Sequence, residues 1–184
     1  IKSDYGWEQL LDLIYTLNYN TSEIDSILNV DRVLWAFAVN TVIANFDTYN
    51  GYYVHNYYLY QSEDGLFQMI PWDLSESFFN ALLGWDLYFQ PTDPNPFHFD
   101  PYFGDNPMIG RPLTAKLLNN PYNRKRYTAH IRTVMNELDT ISLRNQMNYL
   151  QSMSYSSALS DIYKLFSISD FTFNTENHLG FSTW

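Results

Sequence analysis

The chain has 184 residues, 46% of them hydrophobic and 18% aromatic, with no cysteine and a net charge of −10. A chain of this length buries a sizeable core without staples. Its composition excludes a mainly disordered protein, a disulfide scaffold, a thiolate zinc site and a cysteine nucleophile, and its acidity opposes nucleic-acid binding.

Residues 4–17 place Trp7, Leu10, Leu11, Ile14 and Leu17 at a helical period, with Asp4 as N-cap. Residues 21–28 read as a short second helix capped by Thr21 or Ser22. Residues 30–45 are apolar almost all round, which predicts a buried central helix containing Trp35 and Phe37. Residues 46–55 are turn-rich, so Tyr49, Tyr52 and Tyr53 are expected to be exposed there. Residues 56–61 and 66–72 form an aromatic hairpin around Glu63-Asp64-Gly65, and Pro71 marks its end.

Residues 91–110 hold Pro91, Pro94, Pro96, Pro101 and Pro107 and read as a long proline-rich loop. Helices are expected over 112–119, with Pro112 in the first turn, and over 121–138 and 141–166. Residues 168–184 are weakly patterned. The class is therefore α+β, mainly helical, with one central β-hairpin. No apolar run approaches the ~20 residues of a membrane span. The sequence begins at Ile1 without Met, and it is read as a piece of something longer.

Charge is unevenly spread. Residues 1–110 hold two basic residues, Lys2 and Arg32, against fifteen acidic ones, while 111–184 hold eight against five. Such an excess is either a solvated face or a store of oxygen ligands for a hard cation. Asp93, Asp100 and Asp105 lack the regular spacing of a calcium loop. Arg124, Lys125 and Arg126 read as a solvated helix face or a patch for an acidic substrate.

The hairpin brings the start of its first strand beside the end of its second. Asn56 and Asp73 are therefore expected to be neighbours, with Asp47 one loop away. Two carboxylates and a carboxamide suit Mg²⁺ and phosphate: one carboxylate orients a hydroxyl, and the other holds metal with the Asn oxygen. The competing reading is that both aspartates cap turns.

Several motifs occur in order: Asn45-Phe46-Asp47, His55-Asn56-Tyr57-Tyr58-Leu59-Tyr60, Pro71-Trp72-Asp73-Leu74 with Phe78, then Arg111-Pro112-Leu113, Asn120-Pro121-Tyr122 and Arg126-Tyr127. Together they resemble the CotH kinase family over about residues 30–135. The resemblance implies the carboxy-terminal lobe of a divergent protein kinase that uses ATP and Mg²⁺, Mn²⁺ or Ca²⁺. Asp47 matches the catalytic aspartate, Asn56 its helper and second metal contact, and Asp73 the metal-binding aspartate. Trp72 is expected beneath the site and His55 is read as structural.

A kinase also needs a glycine-rich lid and a lysine for the phosphates. No glycine-rich loop is present, and no lysine lies between Lys2 and Lys116. The amino-terminal lobe is therefore expected to lie outside 1–184, which is read as a single catalytic lobe. The implied reaction is phosphoryl transfer to Ser or Thr of a protein substrate in a spore coat, at a cell surface or outside the cell. The alternative is an adhesion or binding module that keeps the fold without the chemistry. A metal-dependent hydrolase lacks the spaced histidines it would need.

Overall fold

The computed structural model describes residues 6–78 and 99–175. It divides into two compact units, with the boundary between Met135 and Asn136. The first unit runs α1 (Gly6–Tyr19), a 3₁₀ helix (Thr21–Ser26), α2 (Val30–Val42), β1 (Tyr57–Gln61) and β2 (Phe67–Pro71). Two 3₁₀ turns follow (Phe103–Asp105 and Pro107–Ile109), then α3 (Pro112–Asn119) and α4 (Pro121–Glu137), whose last two residues lie past the boundary. The mainly helical α+β class with an antiparallel hairpin is borne out. Residues 91–98 of the proline-rich stretch lie outside the described residues, as does Asp4. The described part, 99–110, is not a bare loop, because it winds into the two 3₁₀ turns.

The core is built on α2. Asn29 caps this helix by accepting from Arg32 N–H at 3.1 Å. Val33, Leu34 and Phe37 are almost fully buried and meet Leu13 and Leu17 of α1, Phe67 and Met69 of β2, and Leu117 and Leu118 of α3. Each such side chain contributes about 1.5–3 kcal/mol by leaving water. Trp35 is only half-buried and stacks on His130, with centroids 3.9 Å apart. In α1 the buried residues are Leu13 and Leu17, while Trp7, Leu11 and Ile14 are exposed. The inward stripe is thus rotated from the one the apolar spacing predicts, because the core touches only one side of this peripheral helix.

The hairpin pairs Tyr57 with Pro71, Leu59 with Met69 and Gln61 with Phe67. Alternation puts Phe67 and Met69 inward and Tyr58 and Tyr60 outward. β2 is fixed to the start of α2: Phe67 N–H donates to Ile27 O at 2.8 Å, and Asn29 N–H donates to Phe67 O at 2.9 Å. The register that aligns Asn56 with Trp72 is therefore set by the core as well as by the turn.

The segment after α2 departs most from expectation. Tyr49 and Tyr52 are buried, at 8% and 3% exposure. Tyr49 stacks on Phe37 and its hydroxyl accepts from Leu113 N–H at 2.9 Å. Tyr52 packs on Phe46 and Phe103. Burial pushes the Tyr49 hydroxyl up to about 12. Polar residues share this interior because they bond to one another: Asn45 Nδ2 donates to Asn40 Oδ1 at 3.1 Å, and Asn40 Nδ2 donates to Thr48 Oγ1 at 3.2 Å. Asn50 Nδ2 donates to Phe37 O at 3.3 Å. These turns are an inner layer of the core.

The second unit holds α5 (Thr140–Ser160) and α6 (Ile168–Phe173). Asp139 caps α5 through Ile141 N–H at 3.0 Å. α6 is a helix where no pattern was expected. It is closed by a capping box in which Ser167 and Asp170 exchange bonds. Gln151 Nε2 ties the two together by donating to Phe171 O at 2.6 Å. No residue of α5 is buried.

Candidate functional site

Three segments build the site: the turn after α2, the entry to β1 and the exit from β2. α2 ends at Val42, and Ala44 turns into the left-handed region with φ of 51°. This reverses the chain and delivers Asp47. The Asp47 N–H donates to Asn45 Oδ1 at 3.3 Å, so the backbone of the turn is tied to the buried amide chain.

Asp47 and Asn56 are brought together as expected. Asn56 Nδ2 donates to Asp47 Oδ2 at 2.7 Å and to Asp47 O at 3.0 Å. The amide nitrogen makes both bonds, and Asn56 Oδ1 takes no part in them. Asp47 Oδ1 is buried and accepts no hydrogen bond. His55 Nδ1 lies 3.1 Å from it, without hydrogen-bond alignment. The turn that presents Asn56 presents His55 as well, and the contact is compatible with the structural reading of His55.

Asp73 joins through the backbone. Trp72 N–H donates to Asn56 O at 2.9 Å, which closes the open end of the hairpin and sets Asp73 next to it. The Asp73 carboxylate is exposed, and its Oδ1 accepts from Ser75 N–H at 3.1 Å. Asp73 is thus a turn cap, whatever else it does. Hydrogen bonds from the Ser75 side chain and backbone hold its carboxyl below the ordinary 3.8. Trp72 does not lie beneath the site. It is 58% exposed and packs edge-on against Tyr58, because both fall on the outward face of the hairpin.

Glu76 is a residue that sequence reasoning missed. The turn after Asp73 folds back onto the end of α2, where Phe78 N–H donates to Ile43 O at 2.7 Å. That return carries Glu76 into the field of both aspartates. Desolvation first, then the charges of Asp47 and Asp73, raise its carboxyl above 4.5. Loss of water leads this shift, and like-charge repulsion from the two aspartates adds to it.

The non-glycine residues with positive φ among those described are Ala44, Asn56, Asp73 and Phe78. All fall on these segments. Asn and Asp tolerate that region, but Ala and Phe do so at a cost of about 1–2 kcal/mol each. Backbone strain collected at one place is typical of a working site.

Other acidic and basic candidates are used differently. Arg124 pairs with Asp105 and lies over the Tyr102 ring. Arg126 donates to Asp31 at 2.7 Å, so two of the three clustered cations are neutralised internally. Asp100 caps Tyr102 N–H at 2.9 Å. Asp93 lies outside the described residues. Among the described residues, no group of three or more His, Asp or Glu side chains converges as a metal cage. None of the described helices is long and apolar enough to cross a membrane.

A family model described as CotH kinase protein matches residues 1–178. The chain belongs to the CotH family. That match is wider than the stretch whose motifs carry the likeness. Over 138 residues the chain is 29% identical to the inner spore coat protein H of Bacillus subtilis (strain 168), a match that covers 72% of this chain and 33% of the relative. The matched part thus spans about a third of that CotH protein's length. No solved structure matches the chain.

Proposed function

We propose that this CotH chain is the carboxy-terminal catalytic lobe of an atypical protein kinase. It transfers the γ-phosphoryl group of ATP to Ser or Thr hydroxyls of a protein in a spore coat, at a cell surface or elsewhere outside the cell. The nucleotide-clamping lobe and any further modules lie in other parts of a longer protein. The observation that carries this reading is the pairing of Asp47 with Asn56 at the hairpin end that also presents Asp73.

Asp47 is the group at the acceptor hydroxyl. Asn56 holds one of its carboxylate oxygens, which leaves the buried and unbonded Oδ1 to accept the hydroxyl proton or aim it. Asp73, with Asn56 Oδ1, would hold Mg²⁺ or a similar hard cation. The donor set fits: it consists of oxygens only, it is electronegative, and Mg²⁺ needs few protein ligands because it keeps its waters. When bound, the cation supplies neutralisation of the phosphates and of the charge that develops during transfer. Glu76 deepens the field around the same position. His55 lies against the same carboxylate as Asn56, with Nδ1 3.1 Å from Asp47 Oδ1.

The test uses the full-length parent protein and labelled ATP. Asp47→Asn is expected to lower transfer about 10²–10⁴-fold while nucleotide stays bound. Transfer that survives in this variant would overturn the role given to Asp47. A wild-type parent that binds its partner protein but transfers nothing would favour the adhesion module.

A further inference from the structure

A second cleft opens beside Asp47. Its volume is about 620 Å³, and its lining includes Tyr53, Val54, His55, Phe103, Ile109 and Arg111. His55 belongs both to this wall and to the surroundings of Asp47 Oδ1, 3.1 Å away. The cleft therefore begins where the candidate acceptor group ends.

Arg111 gives the cleft its chemistry. Its Nη2 donates to Gly51 O at 3.2 Å and Tyr52 O at 2.7 Å, and its Nη1 donates to Ile109 O at 3.2 Å. The Nε–H is buried without an acceptor. Carbonyls orient a guanidinium but do not neutralise it. Arg124 and Arg126 each have an aspartate partner. Arg111 has none among the described residues, although the chain carries twice as many acidic as basic residues. A half-buried guanidinium that, among the described residues, is held by carbonyls alone is suited to a carboxylate or phosphate. The aromatic wall is firm: Tyr53 stacks on His55 with centroids 6.1 Å apart, and Tyr52 meets Phe103 edge-on at 5.1 Å.

We infer that this cleft is the acceptor-side subsite, and that Arg111 selects an acceptor chain carrying a negatively charged side chain near the hydroxyl to be modified. The inference rests on the kinase reading for the word acceptor, but its test does not depend on phosphoryl transfer. The anionic group is either a carboxylate or a phosphate already placed on a neighbouring residue.

The experiment measures binding of fluorescent serine peptides to the full-length parent by anisotropy, without ATP. Three peptides differ only in the residues flanking the serine: Asp, phosphoserine or Asn. At least one anionic peptide is expected to bind about tenfold or more tightly than the Asn peptide, the usual scale of a charge-assisted contact. The peptide that shows the preference identifies the source of the charge.

Arg111→Gln is expected to erase the preference. Arg111 also ties down three carbonyls, so Ile109→Glu is the second variant. It brings a competing carboxylate into the cleft, leaves the Arg111 bonds in place and should erase the preference too. Equal binding of all three peptides by the wild type, or a preference that survives Ile109→Glu, overturns the inference. Preferential binding by a protein that transfers no phosphate would keep the subsite and reject the kinase reading. Transfer without preference would do the reverse.

Discussion

The two units of the chain have similar apolar vocabulary and opposite packing. In the first, α2 buries seven of its thirteen residues, and the polar turns behind it are buried as well. In the second, α5 runs for 21 residues and buries none of them, with Ile141 at 73% exposure and Leu150 at 61%. Order in α5 and α6 comes from local devices: the Asp139 cap, the Ser167–Asp170 box and the Gln151 bond. The difference teaches that hydrophobic content does not locate the buried core. Mutual satisfaction of buried polar groups does, and that is where the candidate site stands.

The largest expected contrast is in stability. Phe37→Ala should cost about 3–5 kcal/mol, the range for emptying a buried aromatic position. Leu150→Ala should stay within about 0.5 kcal/mol. Denaturant melts of the two variants compare the units directly, and equal costs would break the contrast.

A smaller effect is expected at Gly51. A Cβ there would collide with the backbone of Phe46, whose carbonyl accepts from Tyr52 N–H at 2.8 Å. Gly51→Ala should cost about 1–3 kcal/mol by overpacking, and it should shift the amide resonance of Asp47 in an NMR spectrum. An unmoved Asp47 resonance would detach the site from this buried layer.

The smallest effect depends on pH. Burial is the largest single influence on Asp31 and pulls its carboxyl upward, but hydrogen bonds and charges from His130 and Arg126 outweigh it, so its pKa lies below 3.8. Since the folded value is depressed, the stabilisation is complete above 3.8 and fades as the pH falls through the folded value. The carboxylate is about half exposed, so the effect is modest, about 0.2–1 kcal/mol after screening. Asp31→Asn should flatten the acid limb of the melting profile below about pH 4. An unchanged limb would remove this link between α2 and α4.

Much of this architecture is legible in the residues. Pro112 marks the start of α3, Glu63-Asp64-Gly65 marks the hairpin, and the hairpin predicts that Asn56 and Asp73 share one end. The buried Asp47 turn is not legible in this way. Asn40, Asn45, Thr48, Tyr49 and Tyr52 look like loop residues because hydrophobic patterning treats polar groups as outward-facing. Only their mutual bonds make burial tolerable. Glu76 was missed for a related reason: a turn that folds back on α2 has no periodicity. Ser167 and Asp170 did spell a capping box, and the weak apolar pattern around them obscured it.

The central claim is that Asp47, Asn56 and Asp73 work as one cation and nucleotide site. Mn²⁺ added with ATP to the isotopically labelled 184-residue chain tests it most directly. The account predicts weak binding, with paramagnetic broadening centred on the Asn56, Asp73 and Glu76 amides and abolished by Asp73→Asn. Broadening centred elsewhere, or unchanged in Asp73→Asn, would contradict it.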